Sequence, residues 1–593
     1  MMSSAFFGQF IILIVFIPIL MLQGVEGKMF KPMAYTFAFA MLGVILLCLT
    51  YVPALTALWI RHDNKKTIGE KWMEKIENSY EKFLLRLFGY RKIIYAFSFI
   101  FMASGIFLFF RSGGEFLPRL DEGDMAMHIL LKPGSSVSES VKIATEVERL
   151  LKKNFPEVKQ MVSRFGVSEI PTDPMPIEMG DCIITLKPKN EWTSASTKEE
   201  LIEKMKQTLS IIPGVNFIFT QPIEMRFNEL LSGVREDLAI KIFGDDWNTL
   251  DSIARQIAQI IKDIPGVADL KTEAISGHPQ INIKILRHKL ALYGLSVEDV
   301  QQTIQAIVAG IEAGQILENN KRFDLMLRFD SASSQSVESI GNIPLTTPQG
   351  HKIMLKQIAD IGFVNGALQI SRENTHRRSY VGVNVRNRDL ASVVEDIQNK
   401  LEKKLLLPPG YRIAFGGAYE NYERALSTFA WLVPIVLLTI GLLIYFAIES
   451  FRQTLLIYTA VPFAFTGGIW AIYLRDINFS ISAGVGFIVL FGVAVLNGLV
   501  LFNVWNELKK NEISMKKLSV QGAKIRIRPI LLTALTDILG FLPMAFSQSA
   551  GAEVQRPLAT VVIGGMFTST TLILILLPLL FYDTYSAKKT LKS

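Results

Sequence analysis

The chain has 593 residues, of which 50% are hydrophobic and 20% are charged, and its formal net charge is +8. This composition is typical of a polytopic membrane protein that also carries soluble domains. The excess of cations lies in loops between apolar segments, so it gives no support to nucleic-acid binding. Only two cysteines are present, Cys48 in an apolar segment and Cys182 in a polar stretch, which excludes a disulfide framework.

Eight apolar segments predict eight transmembrane helices, three before and five after a hydrophilic insert at Arg111–Ala425. A run of about 20 apolar residues matches the hydrocarbon core of a bilayer. Such runs must be helical, because lipid offers no partner for backbone polar groups. The predicted spans are about Phe6–Leu22, Met33–Ile60, Ile93–Phe110, Phe429–Ile448, Leu455–Leu474, Ile481–Val504, Ile530–Phe546 and Leu558–Tyr582.

The charged loops predict the orientation of these spans. The loop Arg61–Lys92 carries nine Lys and Arg residues, and Glu507–Arg528 carries seven. By the positive-inside rule these loops and both termini are cytoplasmic, which places the large insert on the opposite side, in the periplasm or the exterior. Residues 61–92 also carry apolar side chains at helical spacing, which predicts an amphipathic helix on the membrane surface. Residues 1–60 then hold two spans, 93–110 one span, 426–582 five spans, and 583–593 a cytoplasmic tail.

The insert contains an internal repeat. Four times, a segment of helical period ends in a proline turn that is followed by a β-branched or aromatic run. We predict the four helices at Ser136–Asn154, Thr197–Ser210, Asn248–Lys262 and Leu390–Lys404. Four β-α-β units predict two α+β subdomains of the ferredoxin-like arrangement, at 111–235 and at 236–276 joined with 364–425. Residues 277–363 form a separate subdomain inserted in the second.

Several long motifs carry a family resemblance. They are Gly113-Gly114-Glu115-Phe116-Leu117-Pro118, Thr172-Asp173-Pro174-Met175-Pro176, Arg226-Phe227-Asn228-Glu229-Leu230-Leu231-Ser232-Gly233-Val234-Arg235 and Gly551-Ala552-Glu553-Val554-Gln555-Arg556-Pro557. The sequence resembles the heavy-metal branch of the resistance-nodulation-division (RND) efflux permeases, and especially the cobalt–zinc–cadmium permeases. The resemblance implies two periplasmic porter subdomains, an inserted docking subdomain and a proton-driven homotrimer in the inner membrane. It also implies a periplasmic adaptor protein and an outer-membrane channel as partners.

The sequence departs from the family in one respect. Family members have twelve spans in two similar halves, whereas this chain resembles the fifth and sixth spans followed by the second half. The acidic residues that the family carries on its fourth span have no counterpart here. We expect either a second polypeptide that supplies the first half or a truncated product.

Polar residues inside the spans are candidates for a proton relay. Asp537 lies in the seventh span with Thr533 one turn away, and Asn497 lies in the sixth. An ionisable group at this depth costs roughly 2.5–3.5 kcal/mol, so it needs a partner or an aqueous path. Thr533 resembles a relay-associated threonine of the multidrug branch. We expect Asp537 and Thr533 to face the missing half, with Asn497 across the gap. Alternatively, Asn497 and Thr533 only bond neighbouring helices.

The candidate metal site also follows from the resemblance. Copper and silver members place three methionines in a porter cleft, and the matching residues here are His128, Met179 and Glu229. Imidazole and carboxylate ligands suit Zn²⁺ and its neighbours, whereas thioethers select Cu(I). Further carboxylates that could complete a weak, oxygen-rich site are Asp124, Asp173, Glu178 and Asp181. The alternative for each of these residues is ordinary surface or strand polarity.

The predicted function is therefore the export of divalent heavy-metal cations by proton antiport, with the metal ion as substrate and no resident cofactor. No phosphate-binding Gly-x₄-Gly-Lys-Ser/Thr loop is present in the sequence, so ATP-driven transport is unsupported and no enzyme activity is expected. Two alternatives stay open: a multidrug-type RND component, and a truncated remnant that does not transport.

Overall fold

The computed structural model describes residues 2–59, 68–116, 118, 121–132, 134–166, 175–226, 236–273, 276–319, 321–328, 336–367, 370–509, 514–547, 549 and 551–590. Elements are numbered along the chain. The N-terminal part is helical and comprises α1 (Met2–Leu20), α2 (Gly24–Leu49), α3 (Tyr51–Trp59), α4 (Ile68–Leu87) and α5 (Arg91–Arg111). A 3₁₀ turn, Phe88–Tyr90, joins α4 to α5.

The first α+β unit follows a two-residue strand, β1 (Gly114–Glu115). Its elements are β2 (Met125–Leu130), α6 (Val137–Asn154), β3 (Val158–Phe165), β4 (Met179–Leu186), α7 (Lys198–Leu209) and β5 (Asn216–Thr220). The strands form an antiparallel sheet in the order β3-β4-β2-β5. Alternate strand residues such as Met127 and Cys182 pack with Leu151 of α6 and Met205 of α7, so both helices cover one face of the sheet.

The second α+β unit repeats this plan around the inserted segment. Its elements are β6 (Leu238–Phe243), α8 (Trp247–Ile261), β7 (Val267–Thr272), β14 (Arg372–Glu373), β15 (His376–Val385), α12 (Leu390–Lys404) and β16 (Arg412–Gly417). The main strands lie in the order β7-β15-β6-β16, and β14 pairs with the start of β15. Ile240 and Val383 pack with Ile257 of α8 and Ile397 of α12 on one face.

Local signals explain why these four helices begin and end where they do. Each helix has an N-cap side chain, from Ser136, Thr197, Asp246 or Asp389, that accepts a hydrogen bond from a backbone N–H of the first turn. A proline turn follows each helix, and Gly266 in one of these turns has φ +97°, a conformation that glycine adopts without strain. The observed helices start and end within one residue of their predicted bounds, which confirms those four predictions.

An antiparallel pair of strands, β8 (Ser276–Ile285) and β13 (Ala359–Ala367), connects the inserted segment to the second α+β unit. Its small core contains Leu290, Val300 and Leu355. Between these strands lie α9 (Arg287–Tyr293), α10 (Val297–Val308), β9 (Ile311–Glu318), β10 (Lys321–Leu327), α11 (Val337–Gly341), β11 (Pro344–Thr346) and β12 (Lys352–Met354). The β9–β10 hairpin is exposed along nearly its whole length.

The C-terminal part is a helical bundle with one short strand. It comprises α13 (Ala418–Ile448), α14 (Phe451–Tyr458), α15 (Ala460–Leu474), β17 (Phe479–Ser480), α16 (Ile481–Leu508), α17 (Met515–Phe546) and α18 (Ala552–Thr590). α16 is the most buried of these helices and lies at the centre of the bundle. Gly467 of α15 and Gly564 of α18 face each other with almost no space between the backbones, a close approach that small residues allow between membrane helices.

Within the described residues, seven helical segments are long and apolar enough to cross a membrane, compared with the eight predicted. They are Glu26–Leu49, Gly69–Arg111, Ala418–Ile448, Phe451–Leu474, Ile481–Leu508, Met515–Phe546 and Ala552–Ser586. The first predicted span falls on α1, of which Gln9–Leu20 is a shorter apolar helix. The predicted span Met33–Ile60 was wrong at its start, because α2 begins at Gly24, and wrong in being continuous, because the helix breaks at Thr50 before α3 runs to Trp59. Ile60 lies outside the described residues.

The amphipathic segment, α4, packs against the helical bundle. α4 buries Tyr80 and Leu84, and the Tyr80 hydroxyl donates a 2.6 Å hydrogen bond to the Leu574 carbonyl of α18. Lys524 of α17 forms a 2.7 Å ion pair with Glu81 of α4. The opposite side of α4 leaves large side chains such as Trp72 exposed, as expected for a helix at an interface.

A short seam joins the membrane helices to the second α+β unit. β1 runs parallel to β17, with Gly114 opposite Phe479. The Gly114 N–H donates a 3.2 Å hydrogen bond to the Asp389 carboxylate, which also caps α12. A side chain at Gly114 would collide with the Tyr422 hydroxyl, so only glycine fits at this position.

Candidate functional site

His128 lies in a row of residues that crosses the first sheet. The strand register places His128 of β2 opposite Asp181 of β4, and Asp181 opposite Arg164 of β3. All three side chains are on the face away from α6 and α7, because the intervening residues Met127 and Cys182 enter the helix-side core.

Asp181 is the centre of this row. Its Oδ1 lies 2.8 Å from His128 Nδ1, and its Oδ2 accepts a 3.4 Å hydrogen bond from Arg164 Nη2. His128 and Asp181 are buried, at 3% and 5% exposure, whereas the Arg164 side chain is about half exposed. A carboxylate held at Nδ1 fixes the orientation of the imidazole ring, and it makes Nε2 the nitrogen suited to a metal.

Three other predicted metal ligands, Met179, Glu178 and Asp124, lie within the described residues. Met179 shares its face of the sheet and is diagonal to it, a relation that places Cα atoms about 7–8 Å apart. Glu178 is buried just before β4, and its backbone carbonyl accepts from Leu131. Asp124 lies four residues before His128, about 13 Å along the strand, and its carboxylate accepts from the Leu186 N–H.

The remaining two candidates, Glu229 and Asp173, lie outside the described residues, in 227–235 and 167–174. Among the residues that are described, no group of three or more His, Cys, Asp or Glu side chains is close enough to hold a metal ion. The described part of the site is therefore a histidine with an orienting carboxylate and a nearby thioether. Cys182 faces the helix-side core, where burial raises the pKa of its thiol to about 11, so it does not belong to this surface.

In the bundle, the structure brings together two of the three relay candidates. Thr533 Oγ1 lies 3.4 Å from Asn497 Oδ1, and Asn497 Nδ2 lies 3.5 Å from Thr570 Oγ1. The expected gap between Thr533 and Asn497 was therefore wrong, because α16 and α17 pack directly together. Asp537 lies one turn from Thr533 on α17 and is partly buried.

A polar cleft between the two α+β units was not predicted from the sequence. Asp269 of β7 accepts from Lys206 of α7 at 2.7 Å and from Arg386 at 3.2 Å. Arg386 also donates to the Phe219 carbonyl of the first unit at 3.1 Å. A recess of about 180 Å³ lies beside these contacts. Lys198, at its edge, donates to Asp121 and lowers the pKa of that carboxyl.

A second unpredicted set of buried charges lies on the second sheet, on the face away from its helices. Lys241 is 5% exposed and lies 3.0 Å from Glu373 and 3.4 Å from Glu420. Nearby, burial raises the pKa of Glu273 above its ordinary value. No periodicity marks these residues in advance, because each pair joins positions that are distant in sequence.

A family model described as the AcrB/AcrD/AcrF family matches residues 2–584. The chain belongs to the AcrB/AcrD/AcrF family. The match includes both α+β units, the inserted segment and the helical bundle, so it covers the candidate metal site, the relay candidates and the polar cleft.

Several individual proteins are similar to this chain over almost its whole length. The chain is 41% identical over 588 residues to the cation efflux system protein CzcA of Alcaligenes sp. strain CT14, covering 97% of this chain and 55% of that protein. It is 42% identical to the protein HelA of Legionella pneumophila, covering 98% and 56%. It is 39% identical to the nickel and cobalt resistance protein CnrA of Cupriavidus metallidurans, covering 98% and 54%. The chain thus spans about half the length of these relatives.

Solved structures agree with this relationship. Two crystal structures of a heavy metal efflux pump superpose with TM-scores of 0.88 and 0.86, at 33% and 34% identity. Each superposition covers 98% of this chain and 57% of the other. This AcrB/AcrD/AcrF family member therefore has the RND permease fold over almost its whole length.

Proposed function

We propose that the chain is an inner-membrane RND permease, or the C-terminal part of one, that exports divalent heavy-metal cations by proton antiport. The relatives named above support this cargo, since their names describe cation efflux and nickel and cobalt resistance. Within the structure, the buried His128–Asp181 pair is the observation that carries the proposal. A histidine that binds a metal ion usually donates its other ring N–H to a carboxylate, a backbone carbonyl or water, and Asp181 is such a carboxylate.

In this proposal α1 also crosses the membrane, which makes eight spans, and both termini are cytoplasmic. The two α+β units are ferredoxin-like porter subdomains at 111–235 and at 236–276 with 364–425. The segment 277–363 is the docking subdomain, and all three lie in the periplasm. The strand order of both sheets and the basic loops support this placement.

For the cargo, we assign His128 as the ligand and Asp181 as the group that orients it. Arg164 donates a hydrogen bond to the Asp181 carboxylate, which leaves fewer oxygen lone pairs for a metal ion. Asp181 is therefore a weaker direct ligand than the sequence suggested. Met179 and Glu229 are the further ligands that the resemblance implies, and Asp124, Asp173 and Glu178 are carboxylates that a moving ion could visit. A loose site suits a transporter, because a closed four-ligand cage would not release its ion.

For energy coupling, Asp537 is the proposed carboxylate that binds and releases a proton. Thr533 lies one helical turn from Asp537 and its hydroxyl contacts the Asn497 amide oxygen, so it is the proposed link from the carboxylate to α16. For assembly, we propose a homotrimer with a periplasmic adaptor and an outer-membrane channel. The exposed β9–β10 hairpin, which includes Leu317 at 69% exposure, supports contact with another chain.

The experiment is a titration of the purified full chain with Zn²⁺, Co²⁺, Cd²⁺ and Cu(I) by calorimetry. We expect divalent ions to bind, with His128→Ala weakening Zn²⁺ at least tenfold and Asp181→Asn about tenfold through loss of ring orientation. His351→Ala is the matched control, because His351 is exposed on the inserted segment. Wild-type Zn²⁺ affinity in His128→Ala would contradict the site, and a preference for Cu(I) would contradict the cargo class.

A further inference from the structure

A recess of about 600 Å³ opens where α4 turns into α5, at one end of the helical bundle. It is bounded by the 3₁₀ turn, the start of α5, the start of α17 and the last turns of α18. α17 begins and α18 ends on this side of the bundle, the side that carries the basic loops. The recess therefore lies at a membrane–water interface, and the inference rests on that part of the proposed function but not on the cargo.

The recess has an excess of positive charge. Arg91, Lys92 and Lys516 line it. Arg91 Nη1 forms a 2.6 Å ion pair with Asp583, so one cation is neutralised and two are not. Among the described residues, neither Lys92 nor Lys516 has an ion-pair partner. Both side chains are exposed, and they leave a net positive site for an anion.

Aromatic rings hold the cationic groups in place. The Arg91 guanidinium lies 5.8 Å from the centre of the Tyr582 ring, and Lys516 Nζ lies 5.3 Å from the centre of the Phe88 ring. Phe88 is buried in the bundle core and packs edge-on against Tyr582. Arg91 and Lys516 are therefore held near aromatic rings, one of which is buried in the bundle core.

An apolar stripe leads away from the recess. Ile93, Phe97 and Ile100 of α5 are spaced at helical intervals and are 65%, 66% and 65% exposed. A ligand that combines an anionic group with long hydrocarbon chains would match both features, with its anion in the recess and its chains along α5. A free phosphate would use only the first feature.

We infer that this recess binds the headgroup phosphate of an anionic glycerophospholipid, such as phosphatidylglycerol or cardiolipin. Lys92 and Lys516 contact the phosphate, and Arg91, fixed by Asp583 and Tyr582, shapes the wall of the site. Basic pockets between transmembrane helices at the membrane surface suit such headgroups. The bound lipid would fasten α4 and α5 to α17 and α18.

The test is lipid binding by the purified full chain, measured by native mass spectrometry while phosphatidylglycerol or phosphatidylcholine with identical acyl chains is titrated in. We expect phosphatidylglycerol to bind more tightly. Lys516→Gln should weaken it about fivefold and Lys92→Gln with Lys516→Gln about thirtyfold, since each cation near a membrane surface contributes a similar factor. Lys516→Arg should restore most of the affinity.

Lys71→Gln is the matched control, because Lys71 is exposed on α4 outside the recess. Equal loss in Lys71→Gln and Lys516→Gln would overturn the inference in favour of general surface attraction. Equal binding of the two lipids would overturn it as well. Inorganic phosphate added at the lipid concentration should not compete, and effective competition would show a free-anion site instead. Thermal unfolding of each variant verifies that it is folded.

Discussion

Replacing Asp269 should weaken the contact between the two α+β units by an amount that the structure allows us to predict. The change is Asp269→Asn, which removes the charge but keeps the shape of the side chain. Asparagine also tolerates the left-handed backbone at this position, where φ is +46°. The substitution therefore tests the interactions with Lys206 and Arg386 without adding backbone strain.

The magnitude follows from burial. The Asp269 side chain is 9% exposed, whereas Lys206 and Arg386 are each 29% exposed. Breaking a fully buried pair costs about 3–5 kcal/mol, but water can partly solvate these two cations. We expect a loss of about 2–3 kcal/mol in the local stability of this contact, in which Lys206 links the two units and Arg386 lies within the second. This loss is in the range for hydrogen bonds to charged groups.

The assay is hydrogen exchange of α7 and β7 in the full chain. A loss of 2–3 kcal/mol should speed their exchange by about 30- to 150-fold. Asp251→Asn is the control, because Asp251 pairs with the exposed Arg255 on α8, and a surface pair contributes about 0–1 kcal/mol. Wild-type exchange in Asp269→Asn would refute the reasoning.

The same contact should depend on pH. Burial alone would raise the pKa of Asp269, but Lys206, Asn384 and Arg386 outweigh it, so the pKa lies below its ordinary value. A carboxyl with a lowered pKa stabilises the fold above the pKa of the unfolded chain, about 3.9. The difference between wild type and Asp269→Asn should therefore be constant near neutral pH and shrink as the pH falls below about 4.

Three further predictions concern local stability. Tyr80→Phe removes the bond to Leu574 and should destabilise the docked α4 by about 1 kcal/mol, measured as faster proteolysis of α4. Gly266→Ala should lower the melting temperature by several degrees, since its φ is +97° and its Cβ would lie 2.9 Å from Val393. Glu157→Gln should destabilise the first unit at neutral pH. Bonds from two backbone amides and a hydroxyl outweigh burial and lower the pKa of this carboxyl to about 2, so the effect should fade between about pH 4 and pH 2.

Matched substitutions separate these effects from general damage. Tyr90→Phe alters an exposed tyrosine, Gly69→Ala adds a methyl group in open space, and Glu203→Gln alters an exposed carboxyl. Each should leave its readout within error of the wild type. If a control variant changes its readout as much as the corresponding test variant does, the prediction for that test variant is contradicted.

Local signals made much of the fold predictable. The four helices of the α+β units follow from side-chain caps and proline turns that lie within a few residues of each helix end, and their predicted bounds hold to one residue. The start of α2 was missed because the helix continues past the apolar run. Glu26, buried at this polar end, lies 3.9 Å from Arg424 of α13, a partner that sequence position does not reveal.

The candidate site was predictable in residue type but not in geometry. His128 and Asp181 were both expected as ligands, yet they are 53 residues apart and meet only through the register of β2 and β4. The same register adds Arg164, which donates to the Asp181 carboxylate and supports the orienting role proposed for it above. The Asp124 carboxylate accepts a hydrogen bond from the Leu186 N–H of β4, a contact that depends on the same strand pairing.

The seam between β1 and β17 has a consequence for how force passes through the molecule. Backbone pairing ties the start of α16 to the segment after α5, and Asp389 ties that segment to the first turn of α12. The strand pairing and the Asp389 hydrogen bond are both short contacts, and Gly114 is packed too closely to admit a side chain. The two parts of the molecule can therefore move little relative to each other at this point. A displacement of the first turn of α16 would therefore be transmitted to the second α+β unit through these contacts.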